Sequence, residues 1–227
     1  ESDLLKKHGV NFSYVGHPLA KSLSGDIDYI KLKKDLGLSS NKETIAILPG
    51  SRKSEIKHHD RPLSDFIKKY KKENPDVEIV LALNKKSDLL GQLEKLSRNV
   101  KVIFDASQKV LSVCDLAVVA SGTATLEASI LAKPMVVIYK SNFLSNFILS
   151  NFFLKTKFIA LPNILSQEKI IFELRQSQVS GEQIYEKVIL SLKNKKNISK
   201  KLGSIKQSLL VSESNKFTKA IQEIYSK

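Results

Sequence analysis

Between residues 44 and 139, short apolar runs alternate with amphipathic stretches about five times, with little sequence spent on the connections. The runs TIAIL (Thr44–Leu48), EIVLAL (Glu78–Leu83), 100–104 and LAVVA (Leu116–Ala120) are apolar at consecutive rather than alternate positions. Strands read that way when both of their faces are covered. The stretches between them carry apolar residues at helical spacing. Leu63, Phe66, Ile67 and Tyr70 share one face of a helix that Asn74 and Pro75 stop, a second helix covers 89–96, and a short third one runs through Val110 and Val113. A parallel neighbour needs a crossover long enough to hold a helix, so the pattern predicts an α/β, Rossmann-like parallel sheet with helices on both faces. Ligands of such sheets bind in the crevice at the carboxyl ends of the strands.

Two connections carry residue types suited to that crevice. In 116–139 the strand breaks at Ser121, Gly122 and Thr123, a helix follows through Leu126, Ile130 and Leu131, and Lys133-Pro134 ends it before the strand Met135–Tyr139. Small residues allow close backbone approach, and the unpaired N–H groups of a helix start are a ready site for phosphate. A plain helix cap at Ser121 or Thr123 accounts for the same residues. Glu127 lies four residues after Thr123 on the same face, where its carboxylate could accept hydrogen bonds from vicinal sugar hydroxyls. It belongs to no capping box, because the residue three before it is Ala124. A solvated glutamate favoured by the helix dipole is the alternative.

The second connection leaves strand 44–48 through Pro49, Gly50, Ser51 and Arg52 into a polar segment, 53–60. Gly50 admits a ligand close to the backbone, Ser51 can donate to a phosphate oxygen, and Arg52 offers a planar fork of donors suited to a diphosphate. An ordinary turn with a surface arginine is the competing account.

Composition narrows the partners. The 37 basic and 23 acidic residues give a formal charge of +14, which favours anionic ligands. The excess is mostly lysine on helix faces, and there is no Trp and no basic stripe interleaved with aromatics, so nucleic acid is not expected as a partner. The single cysteine, Cys114, sits in an apolar setting and suits a reducing compartment. His17, in a Gly-His-Pro turn, reads as structural. The adjacent His58 and His59 do not face the same way on a helix, and no metal is expected. No run is long and apolar enough to span a bilayer. Residues 143–154, with Phe143, Leu144, Phe147, Ile148 and Phe152 on one face and lysines at both ends, read as a helix for a membrane interface, for acyl chains or for the domain core. Residues 158–160 read as a last strand leading to Asn163, and 168–227 as three or four helices, the last with a stripe of Phe217, Ala220, Ile221 and Ile224.

Four blocks, YVGHPLA (14–20), ILPGSRKSEI (47–56), VVASGTATLEASILAKPMVVIYK (118–140) and LPNIL (161–165), resemble lipid-A-disaccharide synthase, an inverting glycosyltransferase family of the GT-B fold, in that family's order and spacing. The resemblance implies transfer of 2,3-diacylglucosamine from its UDP derivative to 2,3-diacylglucosamine 1-phosphate, giving the disaccharide 1-phosphate and UDP without a cofactor. It implies that Gly50, Ser51 and Arg52 face the donor diphosphate from one turn and Ser121, Gly122 and Thr123 from another. Glu127 is then the ribose-binding carboxylate and Asn163 a polar residue near the donor sugar. It further implies enzyme action at the cytoplasmic face of a Gram-negative inner membrane, with 143–154 as a possible contact.

The family is longer than this chain, whose first residue is Glu1 and whose only methionine is Met135. The expectation is therefore one half of a GT-B fold: 1–25 entering from an amino-terminal domain, 26–195 binding the donor, and carboxyl-terminal helices over 196–227. The catalytic base is expected in the other domain, and these residues alone are expected to turn over poorly. Two alternatives remain open at this level, another UDP-sugar transferase or epimerase of the same architecture and a non-catalytic basic module for anions.

Overall fold

The computed structural model describes residues 8–9, 16–23, 25–83, 100–141 and 157–210. The elements follow in chain order: α1 (Pro18–Ser22), α2 (Tyr29–Asp35), β1 (Thr44–Leu48), α3 (Lys53–Glu73), β2 (Glu78–Leu83), β3 (Lys101–Phe104), α4 (Ser107–Val113), β4 (Leu116–Ala120), α5 (Thr123–Ile130), β5 (Met135–Tyr139), α6 (Leu161–Ser166), β6 (Phe172–Arg175), α7 (Gly181–Lys193) and α8 (Lys195–Leu209). The helices expected over 89–96 and 143–154, and the stripe from Phe217 to Ile224, lie outside the described residues.

The strands form one six-stranded parallel sheet in the order β3-β2-β1-β4-β5-β6. Alternation within each strand divides the core between two faces. Ile45, Ile47, Ile79, Leu81, Val118 and Ile138 point to the side covered by α3 and α7, with Phe66, Tyr70, Ile184 and Val188 among the residues they meet. Ala46, Leu48, Val80, Ala82, Ala117 and Val119 point to the other side, under α4, α5 and α8. The described part of the carboxyl-terminal region packs on this sheet: Ile198, Leu202, Ile205 and Leu209 of α8 recur every three to four residues and are buried in that second cluster.

Three expectations need correction. Residues 53–60 are not a polar segment before the helix but its first turns: α3 runs unbroken from Lys53 to Glu73 with Pro62 inside it. Pro62 has no N–H, so the His58 carbonyl lacks its helical donor. Burial of Ile56, His59, Leu63, Phe66, Ile67 and Tyr70 along one face outweighs that loss. Residues 158–160 form no strand. The sixth strand is β6, inside a stretch read as helical, paired with β5 through Val136↔Phe172 and Ile138↔Leu174. It is an edge strand whose residues are mostly half-buried, so it lacks the continuous apolar run that marks β1, β2 and β4.

Candidate functional site

The strand order reverses between β1 and β4, and the connections leaving their carboxyl ends diverge there, which opens a crevice in a sheet of this kind. Leaving β1, Gly50 takes φ +115°, a conformation that side-chain-bearing residues rarely adopt, and so turns the chain back toward the sheet. Two residues of α3 hold that turn. The buried imidazole of His59 has Nδ1 2.8 Å from the Pro49 carbonyl oxygen, and burial holds its pKa below the ordinary histidine value. A neutral ring with Nδ1–H donating to Pro49 satisfies both observations. Glu55 reaches back over the helix start, where its Oε2 accepts from the backbone N–H groups of Ser51 (3.3 Å) and Arg52 (3.4 Å). Arg52 is the first flanking residue of α3, and its side chain is 81% exposed, with Nη1 3.7 Å from Glu55 Oε1.

Leaving β4, the chain turns at Ser121, whose N–H donates to the Ile138 carbonyl of β5 (3.0 Å), and enters α5 with Gly122 as the flanking residue. Among the described residues no side chain caps this helix. Neither Ser121 nor Thr123 does so, and Thr125 Oγ1 donates backward to the Gly122 carbonyl (2.7 Å). The first-turn N–H groups, at Thr123 and Ala124, therefore have no acceptor within their own helix. One turn on, Glu127 Oε1 accepts from Gln108 Nε2 of α4 (2.9 Å), which fixes the carboxylate beside the helix start.

These residues share a cavity of about 570 Å³, bounded by Gly50, Ser51, Arg52, Glu55, the 121–124 turn and Glu127. Its size is that of a site for a small ligand. Chemically it offers two helix N-termini, one exposed guanidinium at the rim and one carboxylate at the side, suited to an anion joined to a polyhydroxylated group. The structure thus brings together Gly50, Ser51, Arg52, Ser121, Gly122, Thr123 and Glu127.

It does not bring Asn163 to them. Asn163 lies in α6, fully buried. Its Oδ1 accepts from the N–H groups of Ile170 (2.8 Å) and Ile171 (3.0 Å), and its Nδ2 donates to the Ile171 carbonyl (3.0 Å) and to Glu173 Oε1 (2.8 Å). Every polar atom is thus committed to holding the entry into β6, and none is left for a donor sugar. His17 caps α1, its Nδ1 accepting from the Leu19 N–H (3.2 Å). The contributions of Glu55 and His59 were not anticipated. The spacing of Glu55, three residues after the flanking Arg52, is that of a capping-box glutamate and was a usable signal. His59 had none, since its partner is a backbone carbonyl ten residues earlier.

A family model described as lipid-A-disaccharide synthetase matches residues 1–224. The chain is 32% identical over 211 residues to lipid-A-disaccharide synthase of Albidiferax ferrireducens, covering 91% of this chain and 54% of that protein. It is 30% identical to the synthase of Colwellia psychrerythraea, covering 100% of this chain and 59% of that one. The chain thus spans about half the length of the curated relatives it matches. Among solved structures it is similar to WaaG, a glycosyltransferase involved in lipopolysaccharide biosynthesis, with TM-score 0.58 and 12% identity over 94% of this chain and 56% of that one. It is also similar to UDP-GlcNAc 2-epimerase from Neisseria meningitidis bound to UDP-GlcNAc, with TM-score 0.58 and 15% identity over 88% and 53% of the two chains. At these identities the structural likeness shows a common Rossmann-like fold.

Proposed function

The chain belongs to the lipid-A-disaccharide synthetase family, and from that premise we propose that it forms the donor-binding half of a glycosyltransferase of lipid A biosynthesis. The donor is UDP-2,3-diacylglucosamine and the acceptor 2,3-diacylglucosamine 1-phosphate. An acceptor hydroxyl oxygen attacks the anomeric carbon of the donor, the bond from that carbon to the diphosphate breaks with inversion, and UDP leaves with the electron pair. The hydroxyl proton passes to a base that we assign to no residue of this chain.

The roles of these residues concern the leaving group. The first-turn N–H groups of α3 and α5 and the Arg52 guanidinium converge on the diphosphate, whose negative charge grows as the bond breaks, so their contribution is larger in the transition state than in the bound donor. Glu127, held by Gln108, accepts from the ribose hydroxyls. The observation that carries this reading is the meeting of two helix-opening turns and Glu127 in one cavity at the reversal of strand order. The enzyme works at the cytoplasmic face of the inner membrane, with residues 143–154 as the contact. No helix among the described residues is long and apolar enough to cross a membrane.

Calorimetric titration of UDP into the chain tests the site. Saturable binding that weakens about tenfold in Glu127→Ala is expected, the cost of losing a charged hydrogen-bond acceptor. Absence of binding by the folded chain, or equal binding by the variant, would remove the nucleotide from this cavity.

A further inference from the structure

The opposite end of the sheet carries a second hollow, of about 400 Å³, at the segments that lead into β1, β4 and β5. Lys33, Lys133 and Lys195 line it, Cys114 and Asp115 lie in its wall, and Tyr29 and Ile30 stand at its edge. These lysines are far apart in sequence: Lys33 and Lys195 sit in lysine-rich helical stretches and Lys133 stands before Pro134.

The charges do not balance. Asp115 is the one carboxylate among the described lining residues, and both of its oxygens are committed. Oδ2 accepts from the Thr44 N–H (3.0 Å) and Oδ1 pairs with Lys195 Nζ. Burial alone would raise its pKa, but the bonds from Lys195 and Thr44 hold it below the usual carboxylate range, so it stays charged. Lys33 Nζ donates to the Lys42 carbonyl (3.0 Å). Lys133 Nζ donates to the Cys114 carbonyl (3.1 Å) and lies 5.1 Å from the centroid of the Tyr29 ring. Among the described residues neither of these two ammonium groups has an acidic partner at ion-pair distance. Burial holds Lys133 below the ordinary lysine range; Cys114 and Asp115 oppose that shift, and the nearby Lys195 and Lys33 add to it. A partly buried cation whose described partners are a carbonyl and a ring face is stabilised by an anion that enters.

We propose that this hollow is a second anion-binding site, in which Lys33 and Lys133 bind the phosphate group of a phosphomonoester beside the Lys195–Asp115 pair. Ser199 in the same wall supplies a neutral donor, and the exposed Tyr29 and Ile30 give the ligand's substituent an apolar edge to lie on. Free phosphate compounds and lipid headgroups share this chemistry. The site is remote from the cavity at the strand carboxyl ends and stands whether or not that cavity binds UDP.

Lysine labelling reads the site residue by residue. The chain, with excess UDP present, is reductively methylated in inorganic phosphate and in chloride of equal ionic strength, and each lysine is quantified by mass spectrometry. The same is done with vesicles of phosphatidylcholine alone and with phosphatidic acid added. About threefold slower labelling of Lys33 and Lys133, with exposed Lys68 and Lys72 unchanged, is expected from a site of modest affinity. Protection by phosphate identifies a soluble ligand, and protection by phosphatidic acid vesicles alone identifies a lipid headgroup. In Lys133→Gln the protection of Lys33 disappears. Equal labelling of all these lysines in every condition, or protection of Lys33 that survives Lys133→Gln, overturns the proposal.

Discussion

The turns leaving β1 and β4 face one cavity but are finished differently. The first is closed by its own helix: the Glu55 carboxylate lies against the Ser51 and Arg52 N–H groups, and His59 ties down the Pro49 carbonyl behind them. The second is open, its helix uncapped by any side chain among the described residues and Thr125 bonded backward to Gly122. The first turn thus already holds a negative group where an anionic ligand would sit, at distances long enough to mark weak hydrogen bonds. A diphosphate entering the cavity meets one helix start that no described side chain caps and one for which it must compete.

Three substitutions test that contrast, in falling order of effect. Arg52→Ala removes a charge-assisted donor worth about 1.5–3 kcal/mol, so UDP affinity should fall about tenfold to a hundredfold while the melting temperature barely moves, the side chain being mostly exposed. Unchanged affinity would move the weight of diphosphate binding to the second turn. Thr123→Pro deletes one N–H of that open turn at the first helical position, where proline is tolerated. About a fivefold weaker UDP titration is expected with the fold intact by circular dichroism, and no change would show that this N–H is not a ligand donor. Glu55→Gln keeps a side chain able to reach back over the helix start but removes its charge. UDP should then bind about threefold more tightly, since the competitor is neutral, with uridine unaffected. Weaker binding would mean that Glu55 serves only to orient Arg52.

The sequence made the central strands plain because β1, β2 and β4 are covered on both faces and carry unbroken apolar runs, and it made both turns plain because Gly50 and the 121–123 turn interrupt those runs. What escaped had no local signature. β6 lies at the sheet edge with mixed side chains, and the polar residues of 53–60 hid the first turns of α3. Asn163 has the residue type of a ligand contact, and only its four internal hydrogen bonds reveal that it is committed. Lys33, Lys133 and Lys195 meet through tertiary structure alone, and a lysine-rich chain gives no reason to single them out.

The pairing that creates the cavity is itself a long-range event. Thr44 donates to Asp115 across 71 residues, and Ile45 to Leu48 align with Leu116 to Val119 only after β2, β3 and their crossovers have been threaded between them in the chain. The entropy of closing that loop must be met before the β1–β4 register forms, whereas α3 and its contacts with β1 are local. On that order the two halves of the site mature at different times, and the proposed UDP site is complete only when the slower one has formed. A nucleotide-binding signal followed during refolding should lag the recovery of helix, making the ligand a reporter of finished topology rather than a template for it.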